Sequence, residues 1–170
     1  MKKFILILSL SIVALTQNVF SQSDSSLMNV VTSYFNLKNA LTKDNGESVR
    51  VAGKQLYDAI NKVPMEKLSA ARYKTWMLYN EKLSYDAEHI KGTTDIDHQR
   101  EHFGKLTANM YKLLKMLKIN TTDIYYQFCP MANDGKGAYW LSEKSEISNP
   151  YMGKKMPSCG STKETLKANQ

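Results

Sequence analysis

One stretch constrains the fold of this chain more than any other. Ile96, Gln99, Phe103, Leu106, Met110, Leu113 and Leu117 recur at steps of three and four, a spacing that lines one face of an α-helix. A face of that length needs partners to cover it. Three earlier stretches have the same period. The first, 25–43, carries Leu27, Val30, Val31, Tyr34, Leu37 and Leu41. The second, 47–62, carries Val49, Ala52, Leu56, Tyr57 and Ile60. The third, 65–91, carries Met65, Leu68, Trp76, Tyr79, Leu83, Ala87 and Ile90. Turn signals separate them: Lys43-Asp44-Asn45-Gly46, then Pro64, then Gly92-Thr93-Thr94-Asp95. Four helices joined by short connections imply a mainly α fold, an antiparallel four-helix up-down bundle. A chain of 170 residues holds one such domain, here read as 25–165.

The period changes after Asn120. Ile124 to Phe128 reads as extended chain, Asn133-Asp134-Gly135 as a turn, and Ala138 to Leu141 as a second strand. The expectation is a small C-terminal β-hairpin cap, with a polar, frayed tail after Ser161 and a flexible end at 166–170. At the other end, Met1-Lys2-Lys3 precedes an apolar run from Phe4 to Leu15 and small residues near Ser21. This pattern is that of a signal peptide over 1–21, and it places the mature protein in the periplasm or outside the cell. The run of about 12 residues is shorter than the roughly 20 needed to span a bilayer, so the mature chain is not expected to be membrane-embedded. The formal charge is +7, which falls to about +5 without Lys2 and Lys3. The basic residues are dispersed, with no arginine-rich stripe and no nucleic-acid motif, which argues against nucleic-acid binding.

Chemistry concentrates at two places. The three histidines, His89, His98 and His102, flank the turn at Gly92. His98 and His102, four apart on one helix, share a face and could hold one metal ion, with His89 brought alongside by an antiparallel turn. The carboxylates Glu88, Asp97 and Glu101 are nearby candidates for orienting the imidazoles. The second place is sulfur-rich: Cys129-Pro130-Met131 and Met156-Pro157-Ser158-Cys159. An extended segment from 119 to 129 covers about 33 Å, close to the roughly 36 Å length of the last helix. The return segment could thus carry Cys129 and Met131 back to the histidine end, with Met156 and Cys159 completing a mixed set. Thiolate and thioether donors favour copper over zinc. The competing reading pairs Cys129 with Cys159 as a disulfide across a loop of about 30 residues, ordinary for an exported protein. The chain has no Cys-x-x-Cys-His haem attachment, no repeated Glu-x-x-His pair, no nucleophile motif and no phosphate loop, so no enzymatic role is expected.

The segments His98-Gln99-Arg100-Glu101-His102-Phe103, Gln127-Phe128-Cys129-Pro130-Met131-Ala132, Gly137-Ala138-Tyr139-Trp140-Leu141-Ser142, Asn149-Pro150-Tyr151 and Cys159-Gly160 together resemble the domain of unknown function 3347 family, over about 30–165. His98, His102, Cys129, Met131 and Cys159 match its pattern. The loop Met156-Pro157-Ser158-Cys159 departs from it where a leucine is expected after the methionine. Members are exported bacterial domains, and similar domains are attached to periplasmic adaptor subunits of heavy-metal efflux systems of the copper and silver type. The resemblance implies a helical, heavy-metal-linked module whose partners are a metal ion and a periplasmic efflux adaptor or other envelope protein. The expected function is soft-metal binding, of copper first and zinc or silver second, for resistance, storage or hand-off. The alternative is a metal-free, disulfide-stapled interaction domain of the envelope.

Overall fold

Five helices and a three-stranded antiparallel sheet make up the computed structural model, which describes residues 22–169. The expected signal peptide at 1–21 lies outside the described residues. The helices are α1 (Gln22–Leu41), α2 (Gly46–Asn61), α3 (Ala70–Met77), α4 (Asn80–Lys91) and α5 (Ile96–Leu117). The strands are β1 (Ile124–Cys129), β2 (Ala138–Ser142) and β3 (Ser161–Leu166). The apolar stripes fall where the periodicity places them. Leu27, Tyr34, Leu37 and Leu41 of α1, Val49 and Leu56 of α2, Leu83, Ala87 and Ile90 of α4, and Phe103, Leu106 and Met110 of α5 are all buried in one core. The sheet joins that core through Ile124, Trp140 and Leu141. No helix among the described residues is long and apolar enough to cross a membrane.

Five helices form where four are expected, because the stretch 65–91 is broken twice. Residues Met65–Lys67 make only a 3-10 turn after Pro64, and Ser69 then caps α3 by accepting a hydrogen bond from the Arg72 N–H. At the far end of α3, the N–H groups of Leu78 and Tyr79 donate back to the carbonyls of Thr75 and Trp76. These i→i+3 bonds tighten and close the helix. Tyr79 then takes a non-helical conformation before α4 starts. Trp76 and Leu83, seven apart, both stay buried across the break. The stripe survives while the helix does not, so periodicity alone does not reveal the interruption.

The cap is also larger than a hairpin. Strand order is β2-β1-β3, both pairs antiparallel, with Phe128 opposite Tyr139 on one side and Ser161 on the other. The segment expected to fray is the edge strand β3. Its polar sequence, Ser161-Thr162-Lys163-Glu164-Thr165-Leu166, suits an edge whose outer face meets water. Leu166 anchors its far end in the core, and Glu164 accepts hydrogen bonds from the Tyr111 hydroxyl at 2.5 Å and Lys115 at 2.6 Å on α5.

Close contacts set how α4 and α5 sit against their neighbours. A Cβ on Gly53 would lie 2.7 Å from an Ile90 methyl, so glycine there lets α2 and α4 approach closely. The fully buried Gln99 amide donates to the carbonyls of Gly46 at 2.9 Å and Thr93 at 2.7 Å. It thereby ties the α4–α5 turn to the start of α2. Asp95 caps α5, its carboxylate accepting from the N–H groups of Asp97 and His98. The α1–α2 loop is held at Asp44, which pairs with Arg100 of α5 and accepts from the Lys154 N–H at 2.8 Å.

Candidate metal centre

The short α4–α5 turn brings His89, in the last turn of α4, against His98 and His102, in the first two turns of α5. Their candidate ligand atoms all lie within 4.8 Å of one another. The rings of His89 and His102 are stacked with centroids 4.3 Å apart, and His98 lies 4.7 Å from His102. One ion bound at about 2.0–2.1 Å to each nitrogen needs them roughly 3.4 Å apart, so small side-chain rotations bring the three into range. His102 is buried, His89 half-buried and His98 exposed. The group is therefore anchored on the protein side and open on the solvent side. The Tyr85 ring, 4.4 Å from His89 and 6.0 Å from His102, forms one wall.

Behind His102 stands a carboxylate. Asp86 is buried in α4, and its Oδ1 lies 2.9 Å from His102 Nδ1. Burial pushes the Asp86 carboxyl above its ordinary range, against the opposing pull of His102. With Nδ1–H donating to Asp86, Nε2 of His102 keeps its lone pair free for a metal. This is the carboxylate–imidazole arrangement that orients metal ligands. The carboxylates expected in this role are engaged elsewhere: Glu101 with Lys105 at 2.7 Å, Glu88 with Lys91 at 3.7 Å and Asp97 near Arg100 at 3.9 Å. Asp86 is the residue that sequence reasoning missed. Its signal was available: a carboxylate between Leu83, Ala87 and Ile90, on the core side of α4 and three residues before His89.

The sulfur residues do not join this group. Cys129 and Cys159 are bonded to each other, with Cα atoms 5.8 Å apart, and no cysteine among the described residues is free. Of the two readings left open above, the structure has the disulfide. A thiolate ligand from either cysteine is accordingly replaced by a staple between the end of β1 and the approach to β3. The return segment is a strand, as the reach estimate required, but it packs on a different flank of α5. Met131 is exposed and lines a groove with Arg100, Gly104 and Ala108. Gly104, two residues past His102, points about 200° around the helix from it. Met156 sits in a turn closed by the Cys159 N–H donating to its carbonyl at 3.2 Å. The three converging ligands come from α4 and α5 alone.

A family model described as a protein of unknown function (DUF3347) matches residues 30–122. The chain belongs to this family. No curated protein and no solved structure matches it. The DUF3347 match runs from α1 to just before β1, a shorter span than the resemblance to about 165 implied. It contains His89, His98, His102 and Asp86. Cys129, Met131, Met156 and Cys159 lie beyond it.

Proposed function

We propose that this DUF3347 protein binds a metal ion through His89, His98 and His102, with Asp86 orienting His102, and that it carries or stores the ion rather than catalysing a reaction. The convergence of three imidazoles within 4.8 Å supports the reading most directly. Three nitrogen donors without a thiolate shift the preference from Cu(I) and silver toward Cu(II), which binds such sites more tightly than the other divalent ions of its row, with Zn(II) next. The exposed edge at His98 leaves room for a solvent ligand or a donor from an acceptor protein. This suits ligand-by-ligand hand-off to an envelope partner such as an efflux adaptor, in a chain exported by its N-terminal segment.

Competition titration of the full chain with Cu(II) and Zn(II) tests this. One equivalent should bind, copper more tightly than zinc. Removing one imidazole, in His98→Ala or His89→Ala, should weaken binding at least ~100-fold, each variant keeping the wild-type circular dichroism. Wild-type protein that binds neither ion, or variants that bind as the wild type does, would sink the proposal. The second reading, a metal-free interaction domain, draws on the disulfide and on the groove of about 1160 Å³ between α5 and the sheet, where Met131, Tyr126 and Tyr139 are gathered. A failed titration would leave that reading in place.

A further inference from the structure

The end of the molecule opposite the histidines has a different surface. α3 buries only Trp76 and turns Tyr73 and Met77, four residues apart, outward at 45% and 42% exposure. Leu78, at 49%, continues the patch past the helix end, and Met116 of α5, at 52%, stands beside the α3–α4 junction, where the Tyr79 hydroxyl lies 3.6 Å from its sulfur. These four apolar side chains are among the most exposed in the described residues. Around them stand exposed lysines: Lys74 on α3, Lys82 at the start of α4, Lys112 one turn before Met116, and Lys118 just past α5. Lys74, Lys112 and Lys118 make no ion pair among the described residues, and Lys82 lies over the Tyr79 ring at 5.7 Å. Of the acidic groups at this end, Asp24 is held by Arg72, Glu164 by Lys115 and Asp123 by Lys167, which leaves Glu66 and Glu81. The balance is positive.

We propose that this end docks on an anionic membrane surface. An apolar patch edged by unpaired lysines fits a layer that is anionic at its face and apolar beneath it. Tyrosine and methionine enter the headgroup–acyl boundary while lysine stems extend to the phosphates. A protein partner fits less well, because lysine is depleted at protein–protein interfaces. The chain entry agrees. α1 begins at this same end, where Asp24 meets Arg72 of α3 at 2.6 Å. The chain thus enters the described residues on this side. His102 and Met116 are fourteen residues apart on α5, about 21 Å at 1.5 Å per residue, so docking leaves the histidine end facing away from the surface.

Methionine oxidation on the full chain tests the proposal, because Met131 lies on another flank and serves as an internal standard. Dilute peroxide is applied with vesicles of phosphatidylcholine alone and of phosphatidylcholine mixed with phosphatidylglycerol. Oxidation of Met77 and Met116 relative to Met131 should slow roughly fivefold or more on the mixed vesicles only. The charge-reversed variant Lys74→Glu/Lys112→Glu/Lys118→Glu, altered only at exposed positions, should lose that protection while keeping its circular dichroism. Pelleting with vesicles does not decide, since the N-terminal run is common to both chains. Unchanged oxidation ratios on anionic vesicles overturn the proposal, and so does protection that persists in the charge-reversed variant.

Discussion

Asp86 has the most specific task of any single residue. Its bond to His102 fixes which imidazole nitrogen faces the other two histidines. Removing its charge while keeping its shape, in Asp86→Asn, should weaken metal binding ~10- to 100-fold, the usual cost of losing such a partner, with one-to-one stoichiometry retained in the titration. Affinity for either ion should also fall as the pH is lowered, because protons compete for the same imidazole lone pairs. A flat affinity between pH 8 and pH 5 would mean that the histidines are not the ligands. Asp44 makes a separate residue-scale prediction. Burial pulls its carboxyl upward, but the Lys154 N–H and Arg100 outweigh this and hold it below the ordinary carboxylate range. A depressed carboxyl contributes stability above its unfolded pKa of about 3.9 and loses it as the pH falls through the folded value. Asp44→Asn should therefore be less stable than wild type at neutral pH, and the two should converge in acid unfolding below about pH 4. Parallel curves down to pH 2 would contradict it.

Elements show where the sequence is readable and where it is not. The stripes of α1, α2 and α5 were legible because a buried helical face repeats its apolar residues every three or four positions. The break at Leu78–Tyr79 was not, because Trp76 and Leu83 keep that spacing across it. β3 was hidden for a different reason. An edge strand spends most of its side chains on solvent, so Ser161 to Thr165 look like a tail, and what makes them a strand is pairing with the distant β1. The histidine group was legible because its members lie on either side of one short turn. The sulfur assignment was not, because reach along the chain fixes distance from the histidine end but not which flank of α5 the returning strand takes. The disulfide provides the element-scale test. Cys129→Ser/Cys159→Ser opens a loop with a sequence separation of 30 and should cost about 3–4 kcal/mol in denaturant unfolding. Metal affinity should be unchanged. A loss of affinity comparable to that of His98→Ala would return the cysteines to the site.

At the scale of the whole molecule, the two ends carry different side chains. The α4–α5 turn, locked by Gln99 to Gly46, holds the imidazoles. The opposite end, built from α3 and the close of α5, presents tyrosine, methionine and lysine. The sheet lies along the shared core and is joined to the helices by Trp140, Leu141 and the Glu164 contacts. The placement of Asp86, His89, His98 and His102 within one helical hairpin has a further consequence. All four fall between 86 and 102, so the whole constellation is made of contacts near in sequence. Such contacts lose little chain entropy on closing and form early, whereas β1 must wait for β3 to return from the far end of the chain. The nascent hairpin could thus gather its imidazoles before the strands find their order, and an ion arriving then would act as a clasp on that hairpin.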